Sequence, residues 1–250
     1  MKPVAESIQW PSAPAHLHLA ENEIHVWALP LDLESPALSK AVATLSAAEQ
    51  DRAKKFRFDK HRNRFIAGRA GLRAMLGRYL QIQPGKLDFA YASRGKPSLS
   101  PEFAGARIHF NLAHSEDLAL CAITCVAPVG VDVERVRTVK DAADLVARFF
   151  SKRESKLFKK LAPDKRPSAF FNLWTRKEAF LKATGEGIGD SLNSVEVSFL
   201  PGEQARLLAV ASDPGQAVEW TLQDLQPGAG YVGALAIQVT GVAVRTWRWG

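Results

Sequence analysis

Two short stretches carry the residue types that phosphate chemistry requires. In FFNLWTRKEAFLKATGEGI (170–188), Glu178 and Lys182 stand four apart, with Lys177 beside them and a glycine-rich exit following. On a helix this spacing puts Glu178 and Lys182 on one face, while Phe170, Trp174 and Leu181 form an apolar stripe for burial. In GVDVERV (130–136), Val129, Val131 and Val133 alternate with Asp132 and Glu134. A strand sends both carboxylates to one face, α-carbons about 6.5–7 Å apart, close enough for the side chains to share one hard cation. Read separately, each stretch has a plain structural account: a strand with its polar side in water, and a Lys–Glu ladder on a helix surface. Taken together, three carboxylates suit magnesium, which keeps waters and shares itself with substrate phosphates. Lys177 and Lys182 beside such an ion would neutralise phosphoryl oxygens, and the whole reads as a pyrophosphate site.

Two weaker candidates lie upstream. SRGKPS (93–98) offers a tight turn, exposed backbone N–H groups and the Lys96 ammonium. Such a turn can cradle a phosphate or grip a base, although Gly-Lys-Pro is more often a turn and nothing else. FNLAHS (110–115) puts His114 after a buried strand, as a phosphate donor or as a satisfied structural histidine. No CxxC pair, GxSxG elbow, Walker loop or HExxH occurs, which leaves those hydrolases and the P-loop enzymes unsupported.

The elements that must hold these residues follow from periodicity. A 250-residue chain, 46% hydrophobic, fits one large domain or two of about 125 residues. The first 22 residues read as an arm, and IHVWALPL (24–31) as a strand. SAAE (46–49) has capping-box spacing, and apolar positions 65, 66, 72, 75, 76 and 79 mark an amphipathic helix over 61–80. Strands are expected at 87–92 and 106–112. The run 117–136 reads as two neighbouring strands broken at Ala127–Pro128, which sets the boundary between domains 1–127 and 128–250. Helices at 141–150, 152–161 and 168–184 and three or four strands complete the second half. Each half is then a long helix with strands around it, an α+β fold with a coarse duplication that makes the 61–80 and 168–184 helices equivalent.

Charge and cysteines bound the partners and the compartment. Ten Lys/Arg against two acids between Asp51 and Arg78 give a local +8, enough to account for the net charge of +7. That surplus predicts an anionic partner (nucleic acid, a phosphorylated ligand or an acidic protein) or a solvated basic face. No run of about 18 apolar residues crosses a membrane, and no secretory signal opens the chain. Cys121 and Cys125, four apart in an extended run, lie roughly 13 Å from each other, too far for a disulfide. Two buried free thiols fit a reducing cytoplasm.

Taken in order, these stretches resemble the Sfp-type 4′-phosphopantetheinyl transferases. The hallmark motifs appear as GVDVE (130–134) and as W-x-x-K-E-x-x-x-K within 170–188. RGKP, FNLAHS and the basic run 45–73 match further family segments, so the likeness spans roughly residues 24 to 240. The resemblance implies transfer of the phosphopantetheine arm of coenzyme A to a serine of an apo acyl, peptidyl or aryl carrier protein, by a monomer. It also implies two similar α/β subdomains related by a pseudo-twofold axis, with coenzyme A between them. Asp132 and Glu134 would bind magnesium, and Glu178 would complete that site or act as base. Lys182 would steady the transferred phosphate, Arg52 would reach the 3′-phosphate, and Arg64, on the adjacent helix, is added as a basic neighbour. Gly95, Lys96 and Pro97 would line the adenine, and Asn111, Leu112, Ala113 and His114 would hold the nucleotide phosphates. Ala113 departs from the serine of many members. Two other readings compete: a nucleic-acid-binding protein using the basic 51–78 helix, and a silent family member that only binds carrier proteins. RFFSKRESKLFKKL (148–161) is a candidate docking surface.

Overall fold

Beginning with the strand expected at 24–31, the chain builds two units, each described by itself. The computed structural model describes residues 10–93, 95–186, 192–211, 213 and 215–250. Residues 1–9 of the expected arm, Arg94 of the 93–98 turn and the Gly187–Ile188 end of the long motif lie outside the described residues. One unit comprises residues 10–126 with 244–250, the other 127–243.

In the first unit, β1 (Glu23–Pro30) is buried on both faces and leads to α1 (Ser35–Thr44). Ser46 then caps α2 (Ala47–Lys54): its hydroxyl accepts from the Glu49 N–H while the Glu49 carboxylate accepts from the Ser46 N–H, the reciprocal box expected from SAAE. The long α3 (Asp59–Leu80) stops at Gln81, in the left-handed conformation. A short hairpin of β2 (Phe89–Tyr91) and β3 (Pro97–Leu99) follows, then the antiparallel pair β4 (His109–Ser115) and β5 (Leu118–Thr124). Trp27, Leu72, Met75, Leu76, Phe110, Cys121 and Ile123 form the core.

Two expectations change here. FNLAHS is itself strand β4, so His114 lies within the strand and not after it. Residues 101–106, where the 106–112 strand was to begin, form a 3-10 turn. The basic run is also not one solvated face. Arg69 and Arg73 are buried and each donates from Nε to Glu49 at 2.7 Å, because a capping-box acid turned inward needs cations to compensate it.

The second unit opens with β6 (Val129–Arg135), followed by α4 (Ala142–Phe149), α5 (Lys152–Lys159) and α6 (Arg166–Thr184). The strands β7 (Val195–Val197), β8 (Leu207–Val210), β9 (Thr221–Leu225) and β10 (Tyr231–Ile237) complete it. β10 sits between β6 and β9 in an antiparallel sheet crossed by α6. The break at Ala127–Pro128 separates β5 from β6, which belong to different sheets. Among the described residues five strands follow α6, not three or four. The last, β11 (Ala243–Arg248), takes its place beside β1 in the four-stranded sheet of the first unit, where the 128–250 boundary had put it in the second half.

Candidate active site

The second unit gathers four of the expected residues. Gly130, Asp132 and Glu134 alternate onto one face of β6, with Val129, Val131 and Val133 on the other. Gly130 decides what that face meets. A Cβ there would run into the Ala179 carbonyl oxygen and the Ala183 nitrogen, so only glycine lets the α6 backbone close onto the strand. The helix then lies with its 178–182 turn over Asp132. Lys182 Nζ stands 2.6 Å from Asp132 Oδ1. Opposite Asp132 in the sheet is the small Ala234.

Burial sets the electrostatics of this cluster. Glu178 is 2% exposed and Asp132 5%, and each has one oxygen, Glu178 Oε1 and Asp132 Oδ2, buried without a hydrogen-bond partner. Burial, reinforced by the charges of Asp132 and Glu134 and opposed by Lys182, pushes the Glu178 carboxyl up to about 7. Burial likewise raises Asp132 to about 6, with Lys182 pulling the other way. Leaving a buried carboxylate oxygen unpartnered costs on the order of 1–3 kcal/mol, so such a pair is set to take up a proton or a cation. Oxygen donors of this kind fit a hard divalent ion. They do not form a closed three-acid cage, however: among the described residues no three His, Cys, Asp or Glu side chains stand together as a metal group, and the Lys182 ammonium is at Asp132 instead.

Lys177 corrects the expectation that placed it at the phosphates. It is fully buried, and its ammonium donates at 2.6 Å to Glu154 Oε2, the Leu192 carbonyl and the Val195 carbonyl. Three acceptors satisfy all three of its protons. Glu154 is the inward-turned capping-box acid of α5, which accepts also from the Ser151 and Val197 N–H groups. The preceding residue, Arg176, is buried as well and grips Asp224 of β9 through two bonds at 2.8 and 2.6 Å. Residues 176, 177 and 178 thus leave successive sides of one helix for β9, α5 and β6. Gly185, φ 82°, ends α6 with its N–H on the Leu181 carbonyl.

The first unit holds the remaining expected residues on separate elements. Arg52 on α2 is exposed, its guanidinium 5.3 Å from the centroid of Phe65. Arg64 is buried and paired: Nε and Nη2 grip Asp32 at 2.6 and 2.9 Å, and Nη1 reaches Glu116 at 3.1 Å. Gly95, φ 80°, turns the chain so that the Lys96 carbonyl accepts from the Ala92 N–H, and Pro97 begins β3. On β4, Asn111 and Ala113 are buried on one face, while Leu112 and the exposed His114 lie on the other. These four cannot all face one ligand.

Sequence reasoning missed Gly130 as a positioning residue, although a glycine in the middle of a valine-rich strand is a known sign of close backbone approach. It also missed Glu154 and Asp224, which no local spacing connects to α6.

Comparison with known proteins gives this geometry a family. The model described as 4'-phosphopantetheinyl transferase superfamily matches residues 128–236, and that of the 4'-phosphopantetheinyl transferase N-terminal region matches residues 33–126. The 4'-phosphopantetheinyl transferase HetI of Nostoc sp. is 41% identical, over 96% of this chain and 98% of its own. The 4'-phosphopantetheinyl transferase Sfp of Bacillus subtilis is 28% identical, over 61% and 66%. A solved structure, the holo-[acyl-carrier-protein] synthase of Thermotoga maritima, shares 26% identity over 45% of this chain and 63% of that one, with a TM-score of 0.36. The chain belongs to the 4'-phosphopantetheinyl transferase family.

Proposed function

We propose that this enzyme transfers the 4′-phosphopantetheine arm of coenzyme A to a serine of an apo acyl, peptidyl or aryl carrier protein, releasing adenosine 3′,5′-bisphosphate. The observation that carries the reading is the pair of unpartnered buried oxygens, Asp132 Oδ2 and Glu178 Oε1, beside Lys182 in a chain of this family.

In the reaction, the serine oxygen bonds to the phosphorus that bears the pantetheine arm. The P–O bond to the phosphate of adenosine 3′,5′-bisphosphate breaks, and the serine proton must be taken up. Glu178 is the acceptor: a carboxylate held near 7 matches the pH at which it works, the condition for efficient general-base catalysis. Lys182, 28% exposed at the rim of the cluster, neutralises charge on the phosphoryl oxygens. Asp132 and Glu134, with Glu178 beside them, are the residues that would hold magnesium, and the ion when bound would offset charge on the pyrophosphate.

The nucleotide end falls to the other unit. Arg52, exposed on α2, is assigned to the 3′-phosphate, the Gly95–Lys96–Pro97 turn to the adenine, and His114, on the exposed face of β4, to the phosphates. Arg64, held by Asp32 and Glu116, supports α3 in this assignment. A duplication of the halves is favoured by a shared build. In each, a Ser-x-x-Glu capping box turns its acid inward, Glu49 to Arg69 and Arg73 of α3 and Glu154 to Lys177 of α6. The acids and Lys182 come from one unit of one chain, which supports a monomer. The free Cys121 and half-buried Cys125 favour a reducing cytoplasm. No helix among the described residues is long and apolar enough to cross a membrane.

Mass spectrometry of apo carrier protein incubated with this enzyme, coenzyme A and magnesium tests the reading. A gain of one phosphopantetheine arm, lost with EDTA, is expected. No gain with acyl, aryl and peptidyl carriers alike would reject it.

A further inference from the structure

One stripe of α3 holds two other elements of the first unit. Phe65, Arg69 and Arg73 recur every four residues and so line one side of the helix. Toward α2, the Arg52 guanidinium rests 5.3 Å from the Phe65 centroid, and both buried arginines donate to Glu49, one helical turn before Arg52. Burial acts to raise the Glu49 carboxyl, but the Ser46 N–H and the two guanidinium groups hold it below its ordinary value. Toward the β2–β3 hairpin, Arg69 Nη2 donates to the Tyr91 hydroxyl at 2.6 Å, while the same nitrogen stands 2.6 Å from Glu49 Oε1. The Phe89 ring lies against both guanidinium groups, 4.9 and 5.2 Å from its centroid. Tyr91 is 50% exposed and pairs across the hairpin with Pro97, so the Arg69 bond is made beside the turn itself. Water could satisfy a half-exposed phenol nearly as well. The bond therefore contributes less to stability than to where the hairpin lies.

We propose that Arg69 and Tyr91 are positioning residues that fix the hairpin relative to α2, so that one coenzyme A meets the Gly95–Lys96–Pro97 turn and Arg52 together, and that they thereby set the preference for a 3′-phosphorylated donor. The inference rests on the transfer reading above and on its assignment of those two contacts to the adenine and the 3′-phosphate. A single ribose carries both groups, so the ligand fixes their separation and the protein must match it. Arg52 by itself attracts any phosphate. It selects the 3′-phosphate only if the base is seated at the right distance, and small misplacements of a bound group are costly. The path from the helix of Arg52 to the turn runs from Glu49 through the Arg69 guanidinium to Tyr91, opposite Pro97. Arginine suits that place because its planar fork holds an acid and a hydroxyl in fixed directions, which the point charge of lysine does not.

The test is calorimetric titration of wild type and Tyr91→Phe with coenzyme A and with its 3′-dephospho analogue, beside transfer to an apo acyl carrier protein. The substitution removes the hydroxyl and keeps the ring. The Kd for coenzyme A should rise about three- to tenfold, the effect of losing one hydrogen bond. The Kd for the 3′-dephospho analogue should stay within about twofold, so the preference between the two donors narrows. In an Arg52→Ala background, where the 3′-phosphate contact is already gone, Tyr91→Phe should add less than about twofold, the non-additivity of two residues that act together. Arg69→Lys, which keeps a charge for Glu49 and gives up the fork, should narrow the preference in the same way. The change should fall on donor binding, with kcat at saturating coenzyme A and the melting temperature of Tyr91→Phe held at wild-type values. A wild-type enzyme that binds neither donor and modifies no carrier would sink the transfer reading and this inference with it. Intact wild-type transfer with an unchanged donor preference in Tyr91→Phe would sink the positioning role alone. Equal weakening of both donors would make Tyr91 a direct contact of the nucleotide, and a joint fall in melting temperature and kcat would make the bond a structural one. Either result overturns the proposal.

Discussion

Lys177 and Glu178 follow one another in the chain and serve different sides of the helix: the ammonium of Lys177 is sealed against Glu154 of α5, while the Glu178 carboxylate lies in the field of Asp132 on β6. Successive helical residues point about 100° apart, so one turn both locks α6 into its unit and presents the acid. Arg176, gripping Asp224, adds the third direction.

The lock has a measurable signature. Lys177→Met leaves the buried Glu154 uncompensated and should destabilise the enzyme by about 3–5 kcal/mol, whereas Lys177→Met with Glu154→Leu should recover most of that loss. The measurement is urea unfolding of both variants. In the recovered double variant the KM for coenzyme A should match wild type; a large rise would return Lys177 to the phosphate site.

Glu178→Gln keeps the shape and removes the carboxylate charge. Loss of the proton acceptor should lower kcat by about 10²–10⁴-fold, read from the transfer assay, and a fully active variant would dismiss the assignment. The same change has a pH signature in metal-free protein. The Glu178 carboxyl sits at about 7 in the fold against an ordinary 4.5, so the native state binds the extra proton between those values. Its stabilising contribution is complete below 4.5 and disappears as pH rises through 7. Wild type should therefore lose stability relative to Glu178→Gln between pH 5 and pH 8, by on the order of 2 kcal/mol, seen as diverging urea midpoints.

Gly130→Ala forces a Cβ into the α6 backbone. Overpacking against backbone should cost about 1–3 kcal/mol or more, and moving the helix should part Lys182 from Asp132. Thermal unfolding and kcat should fall together. Retention of both would mean that α6 does not need this close approach.

Arg52 and Arg64 separate two kinds of arginine. Arg52→Ala should raise the KM for coenzyme A more than for its 3′-dephospho analogue, with unchanged stability, since the side chain is exposed. Arg64→Ala leaves Asp32 and Glu116 without their shared cation and should lower the melting temperature with little change in either KM. Equal effects of Arg52→Ala on the two donors would remove it from the 3′-phosphate.

What the sequence determined by itself is what adjacent residues decide. Alternation in VGVDVER put Asp132 and Glu134 on one side of a strand, helical spacing joined Glu178 to Lys182, and Ser-Ala-Ala-Glu announced its own capping box, because strand and helix periods are properties of the local backbone. Whether a charge faces water, another charge or a carbonyl is a property of what packs against it, and that only the tertiary structure decided. The chain's richest basic run holds Arg64, Arg69 and Arg73 buried on Asp32, Glu116 and Glu49, residues 20 or more positions away, so counting charge along the sequence overstated its surface. Lys177 and Lys182 are equally basic in the sequence. Packing of α5 and β7 seals the first inside, and the absent side chain of Gly130 brings the second to Asp132.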